Sequence, residues 1–228
     1  MGVIEIAHRG CWAHSDIVKE NTLEAFEASL ENNFDMIELD IQLTKDEKIV
    51  IFHDTYILLT HFVIDLTYEE IQSIDAKIPL LEDLFSMFEK KNIDSYPVYL
   101  DIKGTKRIVP HLVNFINQRK ESYDISKIII GSFNILMIEE MYKLAPNFNY
   151  GIISETMFPI DILKIFIDKF NLHFFVFHWS ILQHTEIKYL HDQNILVFTY
   201  TNKLDLIQSR MEQFDVDGIV TNYKIYNV

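Results

Sequence analysis

Eight short runs of β-branched and aromatic residues recur along the chain, at 3–7, 36–41, 98–102, 127–130, 150–153, 174–177, 195–200 and 218–221. Between most of them lie segments of helical period, at 22–33, 108–119, 135–144, 160–170, 185–192 and 204–214. A helix between two strands carries the chain back to the start of the sheet, so such strands become parallel neighbours. Eight units of this kind predict an α/β fold closed into a TIM-type (β/α)8 barrel. Six glycines and five prolines in 228 residues leave no obvious linker, so a single domain is expected over 1–228.

One segment departs from the alternation. Residues 48–53 also read as a strand, but they follow Gln42 after only a handful of polar residues, Thr44-Lys45-Asp46-Glu47. A parallel crossover needs about a dozen residues, so these two strands must form a hairpin. Residues 48–97 are therefore expected as a small inserted hairpin-and-helix excursion after the second barrel strand. Its helix, at 80–91, would lead back to the third barrel strand. Residues 56–64 (YILLTHFVI) are too apolar for a solvated loop. They either pack onto the barrel rim or stand out as a lipid-touching lip.

Composition narrows the classes of function. A hydrophobic share of 49% with 24% charged residues describes a globular protein with a large core. A formal charge of −14 repels phosphate backbones and anionic lipid, so neither a nucleic-acid partner nor stable membrane attachment is expected. Cys11 has no second cysteine to pair with, which suits a reducing compartment. No basic leader and no apolar run of about 20 residues is present. A cytoplasmic protein is the expectation. The glycines form neither a GxGxxG nor a Walker loop.

The chemistry-bearing residues sit on the expected strands. Glu38 and Asp40 are two apart in Ile37-Glu38-Leu39-Asp40-Ile41, so both carboxylates share one strand face and the apolar residues the other. In a barrel the acids would face the lumen, where two ionised carboxylates are costly without a cation between them. The alternative is an edge strand with a solvated acidic face. Asp101 and Lys103 repeat the spacing in Leu100-Asp101-Ile102-Lys103. A third carboxylate would complete an all-oxygen site for Mg²⁺ or Ca²⁺. Lys103 could hold a phosphate oxygen or simply neutralise Asp101. His8 and His53 each close a strand, on the rim where this fold places active sites, and could serve as base and acid. Arg9 could grip a phosphate through two donors. Asn21 reads as a helix N-cap with Glu24 at the capping-box position.

In order along the chain, Ala7-His8-Arg9-Gly10, Glu20-Asn21-Thr22, Glu38-Leu39-Asp40 and His53-Asp54 resemble the glycerophosphodiester phosphodiesterase family. Weaker echoes, such as Leu100-Asp101-Ile102-Lys103 and Val216-Asp217-Gly218-Ile219, extend the resemblance over essentially the whole chain. The resemblance implies hydrolysis of glycerophosphodiesters to glycerol 3-phosphate and an alcohol. It implies a divalent cation on Glu38, Asp40 and Asp101, with His8 and His53 as the acid–base pair and Arg9 and Lys103 near the phosphate. The chain departs from the family at Asp101, where a Glu is usual. Related sphingomyelinase-D-type phospholipases carry Asp-x-Lys there, which raises phospholipase D-type action on lysolipids as an alternative. They usually lack the His-Arg-Gly opening, however, and they carry disulfides that Cys11 alone cannot form. Another alternative is a catalytically silent barrel that binds a phosphorylated ligand. A silent site has no physical need for three neighbouring acids, and a glycosidase would leave both rim histidines unexplained.

Overall fold

The structure is a computed structural model that describes residues 2–13, 17–203, 208–209, 211 and 213–224. The strand expected at 3–7 is β1 (Ile4–His8), and the two that follow it in the sheet are β2 (Met36–Leu43) and β6 (Val98–Ile102). Continuing around, β7 (Ile128–Ser132), β8 (Asn149–Ser154), β9 (Phe174–His178), β10 (Leu196–Asn202) and β11 (Gly218–Thr221) complete the set. Every neighbouring pair is parallel, and β1 pairs with both β11 and β2, so the eight close into a barrel. Around it, among the described residues, stand α1 (Leu23–Glu31), α3 (Leu81–Lys90), α4 (Ile108–Asn117), α5 (Ile135–Leu144), α6 (Ile160–Phe170) and α7 (His184–Asp192). The helix expected at 204–214 lies largely outside the described residues.

Two apolar layers follow from the period-two pattern of the strands. Outward-facing Ile37, Leu39 and Ile41 join Leu81, Leu84, Phe88 and Leu112 of the helices in the main core. On α3 the buried residues Leu81, Leu84, Phe85 and Phe88 fall at helical spacing, which presents one apolar stripe to the barrel. The barrel's interior is a separate layer that includes Ile6, Met36, Tyr99, Phe174, Phe198 and Val220. Gly151 makes room in that layer: a Cβ there would lie 2.2 Å from the Phe174 ring. The lumen below the rim is thus a packed core and not a channel.

The excursion begins as the sequence predicts. The short strand β3 (Ile49–Ile51) pairs antiparallel with β2, with Ile41 opposite Ile51 and Leu43 opposite Ile49. A small hairpin follows, β4 (Tyr56–Ile57) against β5 (His61–Phe62), and then a helix, α2 (Tyr68–Ile74). The sequence reading omitted α2, although its start is a capping box: Thr67 Oγ1 accepts from Glu70 N, and Glu70 Oε2 accepts from Thr67 N. The apolar stretch divides between the two expectations. Ile57 and Val63 are buried, whereas Leu58, Leu59 and Phe62 are 73%, 81% and 58% exposed. Leu58 and Leu59 form the tip with φ of 53° and 61°, a left-handed conformation unusual for leucine.

The close approach at Gly151 generates a stability prediction. Gly151→Ala should overpack the barrel interior and lower unfolding free energy by about 1–3 kcal/mol. Denaturant unfolding checks this; an unchanged midpoint would show that Phe174 moves aside freely.

Candidate active site

The C-terminal ends of β1, β2 and β6 are adjacent, and their register assembles the site. His8 pairs with Glu38, and Asp40 pairs with Asp101. In-register neighbours on parallel strands stand about 4.8 Å apart, so side chains on the same face must meet. One ligand oxygen from each of Glu38, Asp40 and Asp101 lies within 4.8 Å of the others. All three residues are buried, at 3%, 1% and 5% exposure. The solvated-face alternative for Glu38 and Asp40 is therefore excluded.

The turn after β1 wraps back over these acids. Arg9 and Gly10 both take positive φ, at 59° and 82°, and Arg9 N donates to Glu38 Oε2 at 2.8 Å. Gly10 has no substitute here, because a Cβ would lie 2.7 Å from the backbone of Ala25. Arg9 Nε stands 3.1 Å from Asp40 Oδ2, an ion pair without hydrogen-bond alignment, while its Nη1 donates to Glu20 Oε1 at 2.6 Å. Lys103 Nζ lies 2.5 Å from Asp101 Oδ2 and 3.2 Å from Asp40 Oδ1. Arg9 and Lys103 thus offset only two of the three central negative charges.

The structure corrects the reading of Asn21. The N-cap of α1 is Thr22, whose side chain accepts from Ala25 N. Asn21 is one residue earlier, at φ 56°, and its buried amide serves the site: Nδ2 donates to Asp40 Oδ2 at 2.9 Å, and Oδ1 accepts from Asp40 N at 3.3 Å. Asn21 is also a preferred residue type at a cap, so the two roles look alike in sequence. Gln42 went unremarked in the sequence. It is buried on β2 and donates to Phe52 O and Asp54 O, at 2.8 and 2.7 Å, which pins the loop carrying His53.

The two histidines line the same cavity of about 240 Å³ as the acids, Arg9 and Lys103. His8 Nδ1 lies 2.6 Å from Asn222 Oδ1. With that nitrogen donating to the amide oxygen, Nε2 is left as the acceptor. Burial, then the neighbouring Arg9 guanidinium, lower His8 to a pKa of about 4, so its ring is neutral at neutral pH. His53 Nδ1 lies 2.8 Å from Asp54 Oδ1. The wall across the barrel mouth includes Phe133, Glu155 and Tyr200.

Burial drives the electrostatics of the acids. Glu38 is pushed well above the usual carboxylate range by burial, then by Asp40 and Asp101. Burial pushes Asp101 up to about 7, although the Lys103 ammonium pulls the other way. Burial would raise Asp40 too, but Lys103 and Arg9 outweigh it and hold that carboxyl below its ordinary value. Asp101 Oδ1 is buried with no hydrogen-bond partner. Three converging carboxylates, one carrying an orphaned oxygen, fit a hard divalent cation.

A chelation-linked pH dependence follows. Without a cation, the folded protein holds the Asp101 proton up to about pH 7, whereas an unfolded Asp releases it near 3.8. The native state therefore binds more protons across that window, and its stability falls as pH rises through it. A cation must displace the proton at low pH and need not do so at high pH. The rise in unfolding temperature on adding Mg²⁺ should be larger at pH 8 than at pH 5.5. Differential scanning fluorimetry checks this, and an equal rise at both values would contradict it.

A model described as the glycerophosphoryl diester phosphodiesterase family matches residues 8–224. A glycerophosphodiester phosphodiesterase from Caldanaerobacter subterraneus is 30% identical, over 97% of this chain and 95% of its own. Among solved structures, a glycerophosphodiester phosphodiesterase from Thermotoga maritima superposes with a TM-score of 0.80 at 23% identity, over 97% of this chain and 95% of that one. A phosphodiesterase from Oleispira antarctica, in complex with the product sn-glycerol-3-phosphate, gives 0.82 at 18% identity, over 96% and 92%.

Proposed function

The chain belongs to the glycerophosphoryl diester phosphodiesterase family, and we propose that it hydrolyses glycerophosphodiesters to glycerol 3-phosphate and an alcohol with a divalent cation on Glu38, Asp40 and Asp101. The observation that carries this reading is the buried acid trio set between Arg9 and Lys103, with His8 and His53 on the same cavity. When bound, the cation supplies Lewis-acid stabilisation of charge on the phosphoryl oxygens. Arg9 and Lys103 orient the phosphate by charge-assisted hydrogen bonds. His8, neutral with Nε2 free of the Asn222 contact, takes the proton from the attacking water oxygen. His53, oriented through Asp54, gives a proton to the departing alcohol oxygen as the phosphorus–oxygen ester bond breaks. The water hydroxyl ends on phosphorus and the alcohol leaves neutral, so atoms and protons balance.

The exposure of Leu58, Leu59 and Phe62 beside the His53 loop favours a second reading, in which lysolipids are also cleaved and the hairpin tip meets the acyl chain. Replacing all three by Ser separates the two. Loss of lysolipid turnover, with soluble diester turnover and thermal stability intact, supports the lip. Parallel loss of both activities and of stability contradicts it.

Product analysis on glycerophosphocholine, glycerophosphoethanolamine and lysophosphatidylcholine tests the main reading, which predicts glycerol 3-phosphate from the first two. Release of choline phosphate instead would place the cleavage at the wrong bond. His8→Ala and His53→Ala should each lower kcat by about 10²-fold or more, while binding of glycerol 3-phosphate survives better. Near-normal turnover in either variant removes that residue from the proton-transfer pair.

A further inference from the structure

The cavity has a second wall, across from the acids. In the ring of eight strands β10 stands four places from β6, and β8 four places from β1. Tyr200, near the end of β10, and Glu155, the residue after β8, therefore stand on the far side of the cavity that they share with the acid trio. The Tyr200 ring is fixed edge-to-face against Phe133 and His178, at centroid distances of 5.9 and 5.5 Å. Its hydroxyl is buried and, among the described residues, has no hydrogen-bond partner. A buried hydroxyl left unpaired is costly to hold, and a bound ligand is one way to satisfy it. Burial, then the Glu155 and Asp101 carboxylates, raise the Tyr200 phenol above its ordinary value, so its proton stays on and can be donated. Neither proton transfer of the proposed hydrolysis involves this hydroxyl.

We propose that Tyr200 and Glu155 hold the glycerol of the substrate: the Tyr200 hydroxyl donates to one glycerol hydroxyl, and Glu155 accepts from that hydroxyl or its vicinal neighbour. The inference rests on the hydrolase reading above and adds the residues that recognise the glycerol. With the phosphate held at the acids beside Arg9 and Lys103, the opposite wall meets a carbon substituent of that phosphate. A hydroxyl both accepts and donates, so it satisfies a phenol and a carboxylate together. Glu155 shares this wall with Lys203, and one charge of each sign favours an uncharged polar group over an ammonium. Glycerol is also the part common to every diester of the class, and it suits fixed partners in a closed recess. Tyr99, Ile153, Val176 and Val220 line that recess and belong to the packed barrel interior. The departing alcohol varies and needs a path to solvent, which lies on the side of the partly exposed His53.

Tyr200→Phe keeps the ring and deletes only the hydroxyl. Calorimetry with sn-glycerol 3-phosphate and with inorganic phosphate, both in the presence of Mg²⁺, reads the effect apart from turnover. The expected result is about 10-fold weaker binding of glycerol 3-phosphate with phosphate binding unchanged. A fall of similar size is expected in kcat/KM for both glycerophosphocholine and glycerophosphoethanolamine. Without ligand the variant should unfold at no lower temperature than wild type, because the deleted hydroxyl has no partner there. Equal weakening of the two ligands, or weakening of neither, overturns the inference. A fall in kcat/KM confined to one of the two diesters also overturns it, by assigning the hydroxyl to the departing alcohol. A lower unfolding temperature does so by giving the hydroxyl a structural bond. In each of these cases, release of glycerol 3-phosphate by wild type leaves the hydrolase reading standing, whereas absence of that release overturns both.

Discussion

The burial of three carboxylates at one end of the barrel is the constraint around which this molecule is arranged. Glu38, Asp40 and Asp101 are almost wholly removed from water, and a desolvated charge costs several kcal/mol unless it is compensated. The surrounding sequence supplies partial compensation. Arg9, Lys103 and Asn21 satisfy one oxygen of Asp40 and Asp101, and the Arg9 amide satisfies one of Glu38. Burial, with the Asp40 carboxylate beside it, accounts for the upward displacement of Glu38 and Asp101, and two cations against three acids leave the site short of positive charge. The shortfall is of the kind that a divalent ion and a phosphodiester resolve together.

The barrel makes that concentration of charge geometrically cheap to hold. Its strands are in register at the rim, so His8, Glu38, Asp40 and Asp101 come from three neighbouring strands without irregular backbone. Over these acids, left-handed backbone at Arg9 and Gly10 aims an amide at Glu38, and Asn21, also left-handed, returns its N–H to Arg9 O at 2.8 Å. Below the rim, Tyr99, Phe174 and Phe198 fill the lumen. Rigid packing there keeps the acids from relaxing apart, and the outer layer of Ile37, Leu39 and Ile41 ties the same strands to the helices.

Much of this was legible in the sequence because it is local. Period-two alternation in Ile37-Glu38-Leu39-Asp40-Ile41 separates an apolar face from an acidic one, and the short Thr44–Glu47 connection forces the antiparallel β3. What was not legible depends on closure of the barrel or on ambiguous residue types. Asn222 meets His8 across 214 positions, and nothing local announces that contact. Asn21 suits a helix cap so well that its bond to Asp40 is masked. The helix α2 was missed despite the Thr67–Glu70 box, because its short apolar pattern is interrupted by polar residues. Hydropathy alone left Leu58 and Leu59 open between rim packing and an exposed lip, and only the hairpin shows them at its tip.

The central claim is that the acid trio is held at a cost to folding for the sake of a cation. Glu38→Gln measures it most directly, since glutamine keeps an oxygen for Arg9 N and removes one buried charge. In thermal unfolding at pH 8 without cations, the account predicts an unfolding temperature equal to or above that of wild type, together with loss of the Mg²⁺-induced rise. A lower unfolding temperature for the variant, with that rise preserved, would show that the Glu38 carboxylate is a structural group and not a cation ligand.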